Sequence, residues 1–503
     1  MNTFDLPPKK CEFRCVRLLQ LLTIEEVRAF KKYLSSPYFR VSEAAVHLAN
    51  YLLKLAPTFP PEKVTKAILF KRVYGKAAPF KEKKIRDLLS DLALHLDEFI
   101  GIERIRHDKV MRRKLVVERV ASHNDLDLVH RELNTLEKAI QQRPNRSIDY
   151  YVDRAFALKY RIALPKQDSI RNRRGELDEL SENLDRAVAL QKGNLLTHLR
   201  NRQRALNTPY QSLAEDEVIQ LIDASDNPVF RIYSIAINNI EESELEVLEE
   251  QFELCKLHVD KISYPELIDF YSLATNAANR LDDELRIARD LLAWEWSEFI
   301  TKVISRQQSD THINTGVIKT IYVNSVFVKK QEVAIKFIQS FIERGYNSAE
   351  LDSVVNFIYA HYYFSINKLE DAATHIARTD LNNPDIGLTG RSLQIRIYFD
   401  LYFDNQNRYA EVLEYAIHAL DKYTTRYNKA NSTAASSRVH VFYCYKNLFR
   451  LSKVSGKEFE FLYDELTMNL SQNVGVTVYD WVVARADLLK QKSAHTRSVK
   501  RKN

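Results

Sequence analysis

The residues best placed to do chemistry in this 503-residue chain are a short run of histidines and aspartates and one pair of cysteines. His123 and His130 lie seven residues apart, with Asp125 and Asp127 between them. On a helix the two imidazoles share a face two turns apart, and Asp127 can join them as half of a divalent-metal site. No second helix of ligands accompanies the run, and solvated surface residues are its ordinary reading. Cys11 and Cys15 are spaced i, i+4, but no Cys or His pair completes a thiolate site; small apolar side chains are the simpler account. With Cys255 and Cys444 they make four cysteines, too few and too scattered for a disulfide framework. His361, inside FIYAHYYF, reads as a packed interface histidine, because no nucleophile or acid–base partner stands at a matching spacing. The chain carries no phosphate loop, dinucleotide fingerprint, nucleophile elbow or H-E-x-x-H. No catalytic residue, metal ligand or cofactor is assigned, and the expectation is a protein that is not an enzyme.

Charge offers a second kind of chemistry. The formal net charge is +7, but it is unevenly spread. Residues 54–119 carry 17 Lys/Arg against 9 Asp/Glu, and residues 490–503 carry six basic residues and no acid. Smaller basic clusters stand at Arg171, Arg173 and Arg174, at Arg200, Arg202 and Arg204, and at Lys500, Arg501 and Lys502. Residues 241–253 hold seven Glu and no Lys or Arg. Basic stretches of this kind can grip phosphates or an acidic protein. Solvated helix faces and a disordered tail are the alternative.

The elements that must position these groups are helices. Ten glycines occur where an average composition of about 7% would give roughly 35. Strands are signalled only weakly, by partial alternation over residues 229–237, and no Asn-Gly or Asp-Gly hairpin turn occurs. Thr23-Ile24-Glu25-Glu26 is a capping box opening a helix that Ser35-Ser36-Pro37 ends. Ser42 caps a second helix, Pro60-Pro61 opens a third that stops at Gly75 as a left-handed cap, and a fourth spans about 80–100. Its stripe is Ile85, Leu88, Leu89, Leu92, Leu96 and Phe99. Ser243 and Glu246 form a further capping box before an acidic helix. No run of 18 apolar residues exists, and the N-terminus lacks a signal-peptide pattern, so a soluble cytoplasmic protein without a membrane span is expected.

The C-terminal half repeats itself. In YAHYYFSINKLEDAATHIARTDLNNP, Ala360 and Tyr363 fall on a first helix, Ala372 and Ile376 on a second, and Pro384 follows. Small residues let two antiparallel helices cross closely, and the aromatic fills the adjoining hole. Fainter copies place Val412, Ala416 and Ala419 on RYAEVLEYAIHAL, and Ala334, Ile338 and Phe341 on KKQEVAIKFIQSFIER. Ala334, Ala372 and Val412 are 38 and 40 residues apart. This segment resembles a divergent tetratricopeptide repeat, without the family's frequent Gly and Trp. The N-terminal unit is similar to the start of bacterial helical-repeat proteins to which no activity is assigned. The resemblance implies an all-α fold: an N-terminal helical unit followed by an α-solenoid of stacked antiparallel helix pairs.

The expected organisation is a basic helical domain (1–110), helix-hairpin repeats (111–320), tetratricopeptide-like repeats (321–489) and a basic disordered tail (490–503). Ala334, Ala360, Tyr363, Ala372, Val412 and Ala419 are expected to pack the repeats. The function expected of such a chain is an interaction scaffold for a protein or peptide. A nucleic-acid-associated factor is the alternative, and an enzyme without a recognisable motif the third. Oligomeric state is not legible in these patterns.

Overall fold

In the computed structural model, residues 13–56, 59–123, 125–164, 174–206, 210, 212, 214–238, 244–306, 314–343, 349–383, 386–430, 435–471 and 477–500 are described. Among them the chain forms twenty-three α-helices and no β-strand, so the fold is all-α. It divides into two units: residues 1–197, 212–289 and 299–312, and residues 198–211, 290–298 and 313–503.

The first unit begins with α1 (Arg14–Leu19), α2 (Ile24–Ser35), α3 (Glu43–Leu53), α4 (Lys66–Tyr74) and α5 (Glu82–His107). The Thr23 hydroxyl accepts from the Glu26 N–H while the Glu26 carboxylate accepts from the Thr23 N–H, which fixes the start of α2. Ser42 caps α3 through the Ala45 N–H, and Thr65, rather than Pro60-Pro61, caps α4; those prolines lead only into a single 3₁₀ turn. Gly75 ends α4 at φ +91° and ψ 159°, an extended positive-φ conformation open to glycine rather than a left-handed helical cap. All six stripe residues of α5 are buried, and α5 packs against α1, α2, α3 and α4 around one apolar core. At its centre the Phe30 and Phe99 rings lie 5.0 Å apart, and Tyr33 stacks on Phe39 at 4.0 Å.

Helices α6 (Lys109–Ala121), α7 (Leu126–Gln141), α8 (Ile148–Ala163) and α9 (Arg174–Leu206) follow. Asp153 on α8 accepts from Lys114 of α6 at 2.7 Å and from Arg143 at 2.6 Å. Arg143 also reaches Asp108 at 3.0 Å, the residue that caps α6 through the Val110 and Met111 N–H groups. One shared guanidinium thus ties the start of α6 to the end of α7 and to α8. Next come α10 (Glu215–Asp223), α11 (Pro228–Asn238), α12 (Leu245–Leu257), α13 (Tyr264–Ala278) and α14 (Arg286–Arg306), the last of which contributes to both units. The weak strand signal at 229–237 is helix α11. Its residues 229, 230 and 232–237 are all buried, and its polar residues Arg231, Ser234 and Asn238 stand three and four apart, the spacing of a helix. The expected cap at Ser243 lies outside the described residues; a capping box instead opens α13, at Ser263 and Glu266.

The second unit stacks α15 (Thr315–Phe327), α16 (Gln331–Glu343), α17 (Ala349–Ser365), α18 (Leu369–Ala377), α19 (Gly387–Asp404), α20 (Gln406–Ala430), α21 (Ala435–Leu451), α22 (Lys457–Ser471) and α23 (Thr477–Lys500). The short connections inside each pair force the chain to reverse, which makes the partners antiparallel. α15 packs on α16, α17 on α18, α19 on α20 and α21 on α22, while α17 also meets α15 and α19, and α23 meets α21. This is a solenoid of stacked helix pairs. Gly387 marks one tight joint: a Cβ there would stand 3.0 Å from the Leu381 carbonyl oxygen and 2.8 Å from the Tyr423 hydroxyl. Of the tail expected from 490, residues 501–503 lie outside the described residues. α23 continues to Lys500, on a run with no Pro or Gly to stop it.

Cys15, Cys255 and Cys444 are buried thiols. Burial pushes the Cys255 thiol up, and the Cys444 thiol up to about 11.

Candidate interaction surfaces

The first unit opens a cleft of about 530 Å³. Its walls are Tyr150, Tyr151 and Arg154 of α8, Glu179, Glu182, Asn183 and Arg186 of α9, and Asn227 and Pro228 at the start of α11. Gln141, Arg146 and Lys261 complete the lining. The sequence builds each wall locally. Asn227 accepts from the Val229 N–H at 3.0 Å and Pro228 occupies the first helical position, so α11 starts at the cleft. The Asn227 amide then donates to the Tyr151 hydroxyl at 2.6 Å, fixing that ring. Burial raises the Tyr151 phenol, against the Asn227 hydrogen bond and the nearby Arg186 charge, so it stays neutral.

The three arginines of the cleft each have partners. Arg146 donates to the carbonyls of Pro144 and Asn145 at 3.2 and 3.0 Å and lies over the Tyr150 ring at 4.2 Å. Its own N–H donates to the Lys261 carbonyl at 2.8 Å. Arg154 is paired with Glu179, and Arg186 with Glu182 at 2.5 Å, while the Arg186 guanidinium sits 5.8 Å from the Tyr151 ring centre. The described lining holds no Ser, Thr, Cys or His, and both carboxylates are held by arginines. Such a site offers fixed N–H donors and aromatic faces, which match carbonyls and carboxylates of a polypeptide.

Elsewhere in the first unit, Glu266 is buried, accepting from the Ser263 N–H at 3.0 Å, the Ser263 hydroxyl at 2.6 Å and the Tyr233 hydroxyl at 3.2 Å. Burial raises its carboxyl above the usual range, against the lowering effect of those three donors. In the second unit the Tyr322 hydroxyl meets His361 Nδ1 at 3.0 Å. Burial, with help from Arg396, holds His361 down at about 4, so it is a neutral packing residue at pH 7. Asp400 of α19 accepts a two-pronged grip from Arg485 of α23 at 2.6 and 2.8 Å.

The basic residues singled out in the sequence are only partly described. Arg171, Arg173, Arg501 and Lys502 lie outside the described residues. Arg174 begins α9, exposed and 3.9 Å from Asp178, whereas Arg200, Arg202 and Arg204 fall near the other end of that 33-residue helix. Lys500 is the last residue of α23. Of the repeat residues, Ala334, Ala360 and Ala372 are buried, and Ala419 is half-buried. Tyr363, also half-buried, stacks on His375 at 5.4 Å. Val412 is a correction: it is 40% exposed, and Leu413, Ala416, Ile417 and Leu420 form the buried face of α20. Aligning small residues across copies set the register one position early.

Among the described residues no group of three or more His, Cys, Asp or Glu side chains is placed to hold a metal, and no helix is long and apolar enough to cross a membrane. His123 is exposed, its ring occupied by Ser122 and the Arg119 carbonyl. The cleft escaped the sequence reading because its walls come from residues up to 120 positions apart. Comparison of the chain with family models, with curated proteins and with solved structures finds no match.

Proposed function

We propose that this protein is a non-enzymatic scaffold that holds a protein or peptide partner in the cytoplasm, using tetratricopeptide-like helix pairs and no cofactor. The observation that carries this reading is the serial stacking of helix pairs from α15 to α23, an architecture that offers a long continuous surface in place of one reactive pocket. The cleft of the first unit supports it, since its guanidiniums and tyrosine rings offer donors and aromatic faces to a polypeptide.

The test is capture from the native cell on immobilised full-length protein, at low and moderate salt, followed by cross-linking and peptide mapping. The expected result is a stoichiometric polypeptide that survives moderate salt and cross-links to helix-pair or cleft residues. Stoichiometric RNA or DNA, lost steeply between the two salt concentrations, would overturn the scaffold in favour of phosphate binding through the basic segments.

A further inference from the structure

Helix α9 buries one face and leaves the opposite one bare. Leu177, Leu184, Val188 and Leu195 are 51%, 49%, 52% and 49% exposed. They are seven, four and seven residues apart, and Ser181 and Gln191, also exposed, fill the gaps. Together the six side chains follow an unbroken alternation of four and three residues, the seam of a coiled coil. From Leu177 to Leu195 this seam runs about 27 Å. Single exposed apolar residues need no explanation, but a heptad-spaced row on one helix does.

The row reads the same in both directions. On either side of the midpoint between Leu184 and Val188 it runs apolar, polar, apolar. A second α9 running the opposite way therefore sets Leu184 against Val188 of the second copy. It also sets Ser181 against Gln191 of the second copy and Leu177 against Leu195 of the second copy. Each contact occurs twice by symmetry, and such self-complementarity is what a two-fold interface demands of one surface.

Charge sets the direction. One flank of the seam carries Asp178, Asp185 and Lys192 at heptad spacing before it reaches Leu199. The other flank, Leu180, Ala187 and Asn194, carries no charge. It turns toward the helix's own unit, where Ala187 is buried and Asn194 donates to Asp269 at 3.1 Å. In an antiparallel pair equivalent flanks meet, so Asp178 faces Lys192 of the second copy at both ends of the seam. Asp185 faces its own equivalent at the centre, one exposed like-charge contact against two attractive ones and a fully matched seam. A parallel pair would set the charged flank against the uncharged one and gain neither attraction. Sliding the antiparallel pair by one heptad would join Asp185 to Lys192, but it would lay Val188 on Gln191 and carry Leu177 past the apolar row. Arg174 approaches Asp178 at 3.9 Å within the helix, an exposed contact that leaves the complementarity of the flank intact.

We propose that α9 is a self-association surface, and that it pairs two copies of this chain antiparallel about a two-fold axis midway between Leu184 and Val188. This inference is independent of the scaffold reading.

Sedimentation velocity over a concentration series tests it on the full chain. The expected result is a monomer–dimer equilibrium whose dissociation constant rises at least tenfold for Leu184→Asp and for Leu195→Asp, with helicity unchanged. Asp178→Lys and Lys192→Asp should each weaken the dimer, and the two together should restore it. Asp185→Asn should tighten it, by removing the like-charge contact at the centre. Orientation is read by oxidation in a Cys11→Ser background: a mixture of Ser181→Cys and Gln191→Cys proteins should cross-link faster than either alone. A monomer at every concentration would overturn the proposal. So would a dimer indifferent to Leu184→Asp and the charge swap, or preferential cross-linking of Ser181→Cys to itself.

Discussion

The N-terminal core and the stacked pairs of the second unit are both helical, yet they are held together differently. The first encloses an apolar cluster between residues 13 and 102, where the Tyr33 hydroxyl reaches Glu98. The second carries polar joints inside the stack: Asn324 donating to Ser297 at 3.0 Å, Tyr322 against His361, Ser392 against the Tyr445 hydroxyl, and Asp400 gripped by Arg485. A closed core needs its volume filled from all sides, and the chain has few other ways to do so. A stack of near-equivalent pairs has many sliding alternatives, and a polar joint satisfied in only one of them selects the register.

The largest break in this comparison is expected in the apolar core. Phe30→Ala removes a fully buried ring and should cost about 4 kcal/mol in urea unfolding followed by near-ultraviolet dichroism. Asp400→Ala should cost about 3 kcal/mol, because it leaves the Arg485 guanidinium partly buried without its carboxylate. The pair Asp400→Leu with Arg485→Met sharpens the contrast. Stability should return while hydrogen-exchange protection of α19 and α23 shifts, if the ion pair selects register rather than adding strength.

A third effect is a pH slope contributed by the stack. His361 is held at about 4 when folded and titrates near 6.5 when unfolded, so the unfolded chain binds the extra proton between those values. The contribution is present above about pH 6.5 and is lost as pH falls toward 4, a change of about 3 kcal/mol that His361→Asn should flatten. The smallest effect is at the α2 cap, where Thr23→Ala should cost about 1 kcal/mol, seen as faster amide exchange in the first turn of α2.

Legibility followed the same divide. The Thr23 capping box and the α5 stripe were readable because each is a local pattern with one consequence. Helix α11 was not, since its β-branched and aromatic residues favour strands and mask the helical spacing of Arg231, Ser234 and Asn238. On α20 the small residues were found, but Val412 and Leu413 are adjacent and similar, and only the packed structure decides which faces inward. The cleft depends on Tyr151 meeting Asn227, a long-range pairing that no spacing rule announces. The residues of the α9 row, Leu177, Leu184, Val188 and Leu195, stand in the sequence, but their exposure does not.

The three buried thiols have a practical consequence. Cys15 sits in the N-terminal core, Cys255 on α12 and Cys444 on α21, and an alkylating reagent can meet each only when its neighbourhood opens. In a Cys11→Ser background, the modification rate at each position is therefore a separate clock, timing the breathing of three regions in a single unlabelled sample.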